Sequence, residues 1–232
     1  MRFLSALLAL VGLCTALPAA AQIVPVTATG RATPPATTDK ENLWLLDLST
    51  GGRVTIWLRP DVAPKMVERV KTLTRQGFYN GLPFHRVIEG FMAQGGDPKG
   101  DGTGGSPLPD VEAEFNYLPH VRGAVSAARQ GAPDDAPAEV KTAAENSANS
   151  QFFIVFTPRL SLDKEYTVFG RVLSGMEHVD AIPRGEPPAA PATIVRAYIA
   201  ADNPPPFQAV APARATLPEG EQEVTLPGAS DD

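Results

Sequence analysis

The chain has 232 residues, 43% of them apolar, and a formal net charge of -6 at neutral pH. That length supports one domain with a sizeable core plus tails, and the negative charge speaks against a general nucleic-acid binder. One cysteine, Cys14, cannot form an internal disulfide, and the three histidines (His85, His120, His178) have no metal-ligand spacing, so no metal and no cofactor are expected.

The first residues carry one basic side chain, Arg2, and then a short apolar run from Phe3 to Leu13. Ala19-Ala20-Ala21 follows as a small-residue cleavage site before Gln22, the pattern of a secretory signal peptide over 1–21. The apolar run is shorter than the roughly 20 residues of a membrane span, so no permanent anchor is expected. On this reading the mature protein is exported, periplasmic or secreted, and Cys14 leaves with the leader. Residues 22–39 are rich in Thr, Ala and Pro without apolar periodicity and read as a disordered linker. A single domain is predicted over 40–201, followed by a Pro-rich, disordered tail over 202–232.

Within the domain, Leu43 to Leu46 is apolar on both faces. Thr50-Gly51-Gly52 gives a turn, and Val54, Ile56 and Leu58 alternate with Thr55 and Trp57, so a hairpin is predicted. A helix starts near Pro64, with Asp61 as candidate cap and Met66, Val67, Val70 and Leu73 on one face; Gly77 ends it. The glycine-dense stretch 95–105 lacks the residue order of a phosphate-cradling loop and reads as tight turns between strands. Glu112 and Glu114 sit in a polar loop and read as solvated. Gly123 to Arg129 is a strand of small residues that another backbone can approach closely. Residues 130–148 form an Ala-, Pro- and acid-rich insertion in which 138–145 is a candidate exposed helix; its role, specificity or surface cover, stays open. Phe152 to Phe156 and Thr167 to Val172 read as strands. Met176, Val179 and Ile182 mark a second helix, and Thr193 to Ile199 a last strand.

Chemistry concentrates in Phe84-His85-Arg86-Val87-Ile88-Glu89-Gly90-Phe91-Met92-Ala93-Gln94. Arg86 is a permanent cation among Phe and Met side chains. That suits a site which binds something apolar and grips one carbonyl or amide; the plainer alternative is an edge-strand Arg that reaches out to water. No Ser/His/Asp or Cys/His set is visible. His85 faces away from Arg86 on a strand and reads as a structural hydrogen-bonder.

FHRVIEGFMAQGGD (84–97), NSQFFIVFT (149–157) and LDKEYTVFGRV (162–172), in this order, closely resemble the cyclophilin-type peptidyl-prolyl cis-trans isomerases, and the resemblance runs from about Asn42 to about Ile199. It implies a mainly β fold, a closed antiparallel β-barrel of about eight strands capped by two α-helices. It implies acceleration of X-Pro isomerisation during folding of exported proteins; the alternative is a non-catalytic proline-peptide-binding module or holdase. By resemblance, Arg86 donates to the prolyl nitrogen and Gln94 orients Arg86 and the substrate. Phe91, with Met92, Phe153 and Leu162, lines the proline pocket, and Tyr166 stands at its rim. Gln151 contacts the peptide backbone, and Ala127, Ala128 and Arg129 pair with it; Arg129 stands where family members commonly carry Asn. Ser161 replaces a Trp of the family's cyclosporin-binding surface, which implies retained catalysis and weakened drug binding. Phe84, Phe152 and Phe169 read as plain core. The expected partners are proline-containing polypeptides, and the chain is expected to be a monomer.

Overall fold

The computed structural model describes residues 32–208; the expected leader over 1–21, residues 22–31 of the expected linker and the expected tail from 209 onward lie outside the described residues. The first hairpin is β1 (Leu43–Leu48) against β2 (Gly52–Leu58). Trp44, Leu46 and Leu48 enter the main core with Val54, Ile56 and Leu58 from the facing strand. The opposite face of β1 is covered too: Leu45 and Asp47 are buried, and Arg53 grips Asp47 with two bonds of 2.6 and 3.0 Å.

The other strands are β3 (Arg86–Ile88), β4 (Met92–Gly95), β5 (Ala124–Ala127), β6 (Phe152–Val155), β7 (Val168–Ser174) and β8 (Ile194–Ile199). All pair antiparallel in one sheet, in the order β3-β4-β6-β5-β7-β2-β1-β8. The sheet curls until the segments beside its two edge strands meet. Phe84 N–H donates to the Ala192 carbonyl at 2.9 Å, and Ile194 N–H to the Leu82 carbonyl at 2.9 Å. The expected eight-stranded barrel is therefore a curled sheet joined by short bridges rather than by a continuous ladder.

Helix α1 (Pro64–Arg75) buries Met66, Val67, Val70 and Leu73 as the spacing predicts. Its cap is not Asp61, whose carboxylate is taken by Arg59 at 2.7 and 2.6 Å. Pro64 has no N–H to satisfy, so the next amides need the acceptors. Glu114 supplies both: its two carboxylate oxygens accept from Lys65 N–H and Met66 N–H, each at 3.0 Å. Glu114 is thus a helix cap rather than a solvated loop residue, while Glu112 pairs with the exposed Lys65 ammonium. At the other end Gly77 takes φ +70°, and Phe78 N–H reaches back to the Leu73 carbonyl at 3.0 Å. The insertion holds a further helix, α2 (Ala138–Glu145), of which only Ala144 is buried. It adds to the two helices expected at the barrel ends. The second of those is α3 (Met176–Asp180), with Val179 buried in it and Ile182 buried just past its end. No helix among the described residues is long and apolar enough to cross a membrane.

Trp44, Tyr79, Phe84, Phe152 and Phe169 fill the core and are fully buried. Trp44 meets Tyr79 and Phe152 edge-on, with ring centroids at 5.3 and 4.9 Å. Strand alternation then creates the site. On β6, Phe152 and Ile154 point into this core. Phe153 and Val155 point the other way, into a second apolar cluster with Met92, Ala124 and Val168. Contacts also continue past residue 201: Asp202 accepts from Arg75 at 3.1 Å, and the Pro205 carbonyl from Arg53 at 2.9 Å.

Candidate active site

The β3–β4 hairpin turns at Gly90, which takes φ +64°, and sets Arg86 directly opposite Gln94. Strand β4 pairs on its other side with β6, so Gln94 also stands opposite Phe153. These three share the outward face. Together with Phe91, Met92, Leu162 and Tyr166 they wall a pocket of about 310 Å³, closed on the remaining side by Ala128 and Arg129. The floor is apolar: Met92 and Phe153 are buried, Phe91 lies 6.5 Å from the Phe153 ring, and Tyr166 meets Phe153 edge-on at 5.6 Å. Gln151 does not line this pocket. It lines an adjoining lobe of about 440 Å³ with Asn149 and the 102–105 glycine loop; Gln94, Ala128 and Arg129 border both lobes.

A chain of polar side chains crosses the groove. Arg86 Nε donates to Glu186 Oε2 at 2.7 Å, and Arg86 Nη1 donates to Gln94 Oε1 at 3.4 Å. Gln94 Nε2 donates to Gln151 Oε1 at 2.9 Å, and Gln151 Nε2 donates to the Gly102 and Gly104 carbonyls at 3.0 and 2.8 Å. Donors and acceptors alternate without conflict, which fixes both amide orientations. The glycine loop is itself held from inside. Buried Asp97 accepts from the Lys99, Asp101 and Gly102 amides at 2.8, 3.1 and 2.6 Å. Those amides are turned toward Asp97, in keeping with the turn reading and against a phosphate cradle. Gly104 is required here, because a Cβ would lie 2.1 Å from Asp97 Oδ1.

A family model described as cyclophilin type peptidyl-prolyl cis-trans isomerase matches residues 45–199. The chain belongs to that family. A probable peptidyl-prolyl cis-trans isomerase of Brucella suis is 46% identical over 181 residues, covering 71% of this chain and 86% of the relative. Peptidyl-prolyl cis-trans isomerase B of Bacillus subtilis is 39% identical over 140 residues, 60% of this chain and 89% of its own. Among solved structures, a cyclophilin of Hirschia baltica superposes with a TM-score of 0.61 at 28% identity, over 71% of this chain and 76% of that one. A cyclophilin-type isomerase of Cryptosporidium parvum, solved in the presence of the dipeptide Ala-Pro, gives 0.58 at 26% identity, over 68% and 98%.

This cyclophilin gathers nine of the sequence-predicted residues around the smaller lobe, with Gln151 one hydrogen bond away. Two details differ from expectation. The Ala128 N–H is already taken by the Gln151 carbonyl at 3.0 Å, whereas no backbone hydrogen bond involves Arg129 among the described residues. The Arg129 side chain also joins the wall: its guanidinium lies 4.6 Å over the Tyr166 ring. It donates to the Glu165 and Gln130 carbonyls at 3.0 and 2.9 Å. Ser161 lies exposed in the 3-10 turn Leu160–Leu162, whose last residue lines the pocket.

Two further residues escaped the sequence reading. Glu186, the partner of Arg86, is 100 residues away along the chain. His120 is wholly buried behind the pocket, stacked on Phe153 at 6.1 Å and 17°. Asp163 Oδ1 accepts from its backbone N–H and its Nδ1, both at 2.8 Å, which anchors the loop carrying Leu162. Burial lowers the His120 pKa below the ordinary imidazole value, against the opposing bond and charge of Asp163. His85 does not act as the expected hydrogen-bonder: it is buried, and neither ring nitrogen has a partner among the described residues. Burial lowers its pKa too, with Asp97 opposing and Arg86 assisting.

Proposed function

We propose that Arg86 is the group on which isomerisation turns and that proline-containing polypeptides lie across the two lobes of the groove. The barrier to rotating an amide, about 18–20 kcal/mol, is the loss of its resonance. As the X-Pro bond twists, its nitrogen regains a lone pair and becomes a hydrogen-bond acceptor. A donor placed there stabilises the twisted state more than the planar one, which is what lowers a barrier.

One observation carries this reading: a permanently charged fork stands at the mouth of an apolar pocket with donors to spare. Arg has five N–H bonds. In Arg86 one is used by Glu186 and one by Gln94, which leaves the rest of the fork unengaged among the described residues. Phe91, Met92, Phe153 and Leu162 receive the proline ring and exclude water from it, with Arg86 at the partly exposed rim. Gln94 holds the Arg86 fork, and Tyr166 closes the rim. Gln151 and the free peptide group of Arg129 meet the extended backbone, with Ala128 beneath it. No general base is called for, because no covalent bond to the substrate forms or breaks. The Ala-Pro dipeptide named for the Cryptosporidium parvum relative fits the same substrate class. The leader pattern read at 1–21 supports exported clients, and a monomer is the working unit proposed here. A proline-peptide isomerisation assay on residues 22–232 tests the proposal: cis-to-trans exchange is accelerated if it holds, and binding without acceleration would leave a passive peptide-binding module.

A further inference from the structure

We propose that Arg129 makes this groove select substrates that carry an acidic side chain next to the proline. The inference rests on the groove being the X-Pro site. Two guanidiniums, Arg86 and Arg129, line the proline lobe, and no carboxylate does. Asp110, the one carboxylate of the larger lobe, is hydrogen-bonded to Asn149 Nδ2 at 2.9 Å. Arg86 is paired with Glu186 at 2.7 Å, so Arg129, which borders both lobes, is the lining cation without a hydrogen-bonded carboxylate.

Arg129 is placed to act and held still. Its side chain is only 13% exposed. The Tyr166 ring beneath it and the Glu165 and Gln130 carbonyls fix its orientation. Those carbonyls use two of its five N–H bonds; the other three have no hydrogen-bond acceptor among the described residues. Glu165 is the nearest carboxylate, but at 3.8 Å it is beyond hydrogen-bonding range and 60% exposed, so water screens it. A substrate carboxylate docking from the groove would meet the unused donors in a less solvated place. Arg86 adds less to the same field, because its charge is already paired with the Glu186 carboxylate at 2.7 Å and its side chain is 42% exposed.

The test uses the full mature chain and three peptide sets that differ only in the residue before or after one proline: Glu, Gln or Lys. The inference predicts kcat/KM in the order Glu, Gln, Lys at one of the two positions, with Glu over Gln by about three- to tenfold, the scale of a partly screened ion pair. The preference shrinks as salt rises. Arg129→Lys keeps part of it, Arg129→Gln brings the Glu/Gln ratio close to one, and Arg129→Glu turns the order toward Lys. A purely structural role for Arg129 would change all peptides alike and could not invert the order. Equal rates for Glu and Gln peptides in the unmodified protein at both positions overturn the inference. So does a preference that survives Arg129→Gln and Arg129→Glu, which would assign it to Arg86. Should the variants not fold, a preference in the unmodified protein that ignores salt counts against it equally. The Gln peptides keep the two claims apart: no acceleration of them sinks the isomerase site itself, while acceleration without preference sinks only the role of Arg129.

Discussion

Glu114 gives a perturbation whose size follows from its geometry. Its carboxylate closes the start of α1 through two amides at 3.0 Å, and it does so from another part of the chain, 49 residues past Lys65. Glu114→Ala leaves both N–H groups to water and removes a negative charge from the positive end of the helix. Loss of an N-cap costs about 1 kcal/mol, and the charge–dipole attraction adds roughly 0.3–1 kcal/mol. A total near 2 kcal/mol lowers the melting temperature of a domain this size by about 4–8 °C. Glu114→Gln keeps one acceptor and loses the charge, so it should fall about halfway, and high salt should narrow the gap between Glu and Gln. The assay is thermal unfolding of the mature protein followed by circular dichroism. Since α1 does not line the groove, isomerase activity well below the transition is expected to be largely retained. An unchanged melting temperature in Glu114→Ala would show that the bonds contribute nothing and that α1 is held by its buried face alone.

Gly96 takes φ +85°, and a Cβ there would sit 2.5 Å from the Ser150 carbonyl oxygen, so Gly96→Ala should destabilise by about 2 kcal/mol or more and disturb the neighbouring Gln151; a melting temperature equal to the parent's would contradict that packing. His85 and His120 both bind a proton more weakly folded than unfolded, because burial disfavours the imidazolium. Their contribution is complete above about pH 6.5 and is lost as pH falls through the lower folded values. The melting temperature should therefore drop between pH 7 and pH 5, and drop less in His120→Phe; a rise on acidification would reverse the assignment. Ser161 offers neither the apolar face nor the indole donor of Trp, so cyclosporin should inhibit weakly and Ser161→Trp should strengthen it by about tenfold or more. Tight inhibition of the unmodified protein would mean that another surface binds the drug.

What was legible in the sequence was what repeats locally or stands in one run. The alternation in β2 and the apolar stripe of α1 each lie within a dozen residues and folded as read, while the run holding Arg86 and Gln94 proved to be the β3–β4 hairpin. The candidate helix at 138–145 was visible from its run of Ala, Glu and Lys alone. What stayed hidden depends on pairing across long loops. Glu114 looked solvated because nothing near it in the sequence needed an acceptor; the curl of the sheet brings α1 to it. Glu186 and the His120–Asp163 pair are partners only in three dimensions, 100 and 43 residues apart. His85 was misjudged for the opposite reason: a polar residue on an inward position suggested a bond that the core does not supply. Arg129 was legible as a departure from the family pattern, but its stacking on Tyr166 and its position between the two lobes were not.

The central claim is that Arg86 acts on the twisted amide rather than on ground-state binding. Measuring turnover and peptide affinity together for Arg86→Ala tests it most directly, with exchange rates read by NMR and affinity for one proline peptide by calorimetry. Turnover is expected to fall by a factor on the order of 10²–10³, the cost of removing one preorganised donor. Affinity should change far less, and Arg86→Lys should also be poor because an ammonium lacks the planar fork. Full turnover in Arg86→Ala with the pocket intact, or an equal loss of affinity and rate, would contradict it.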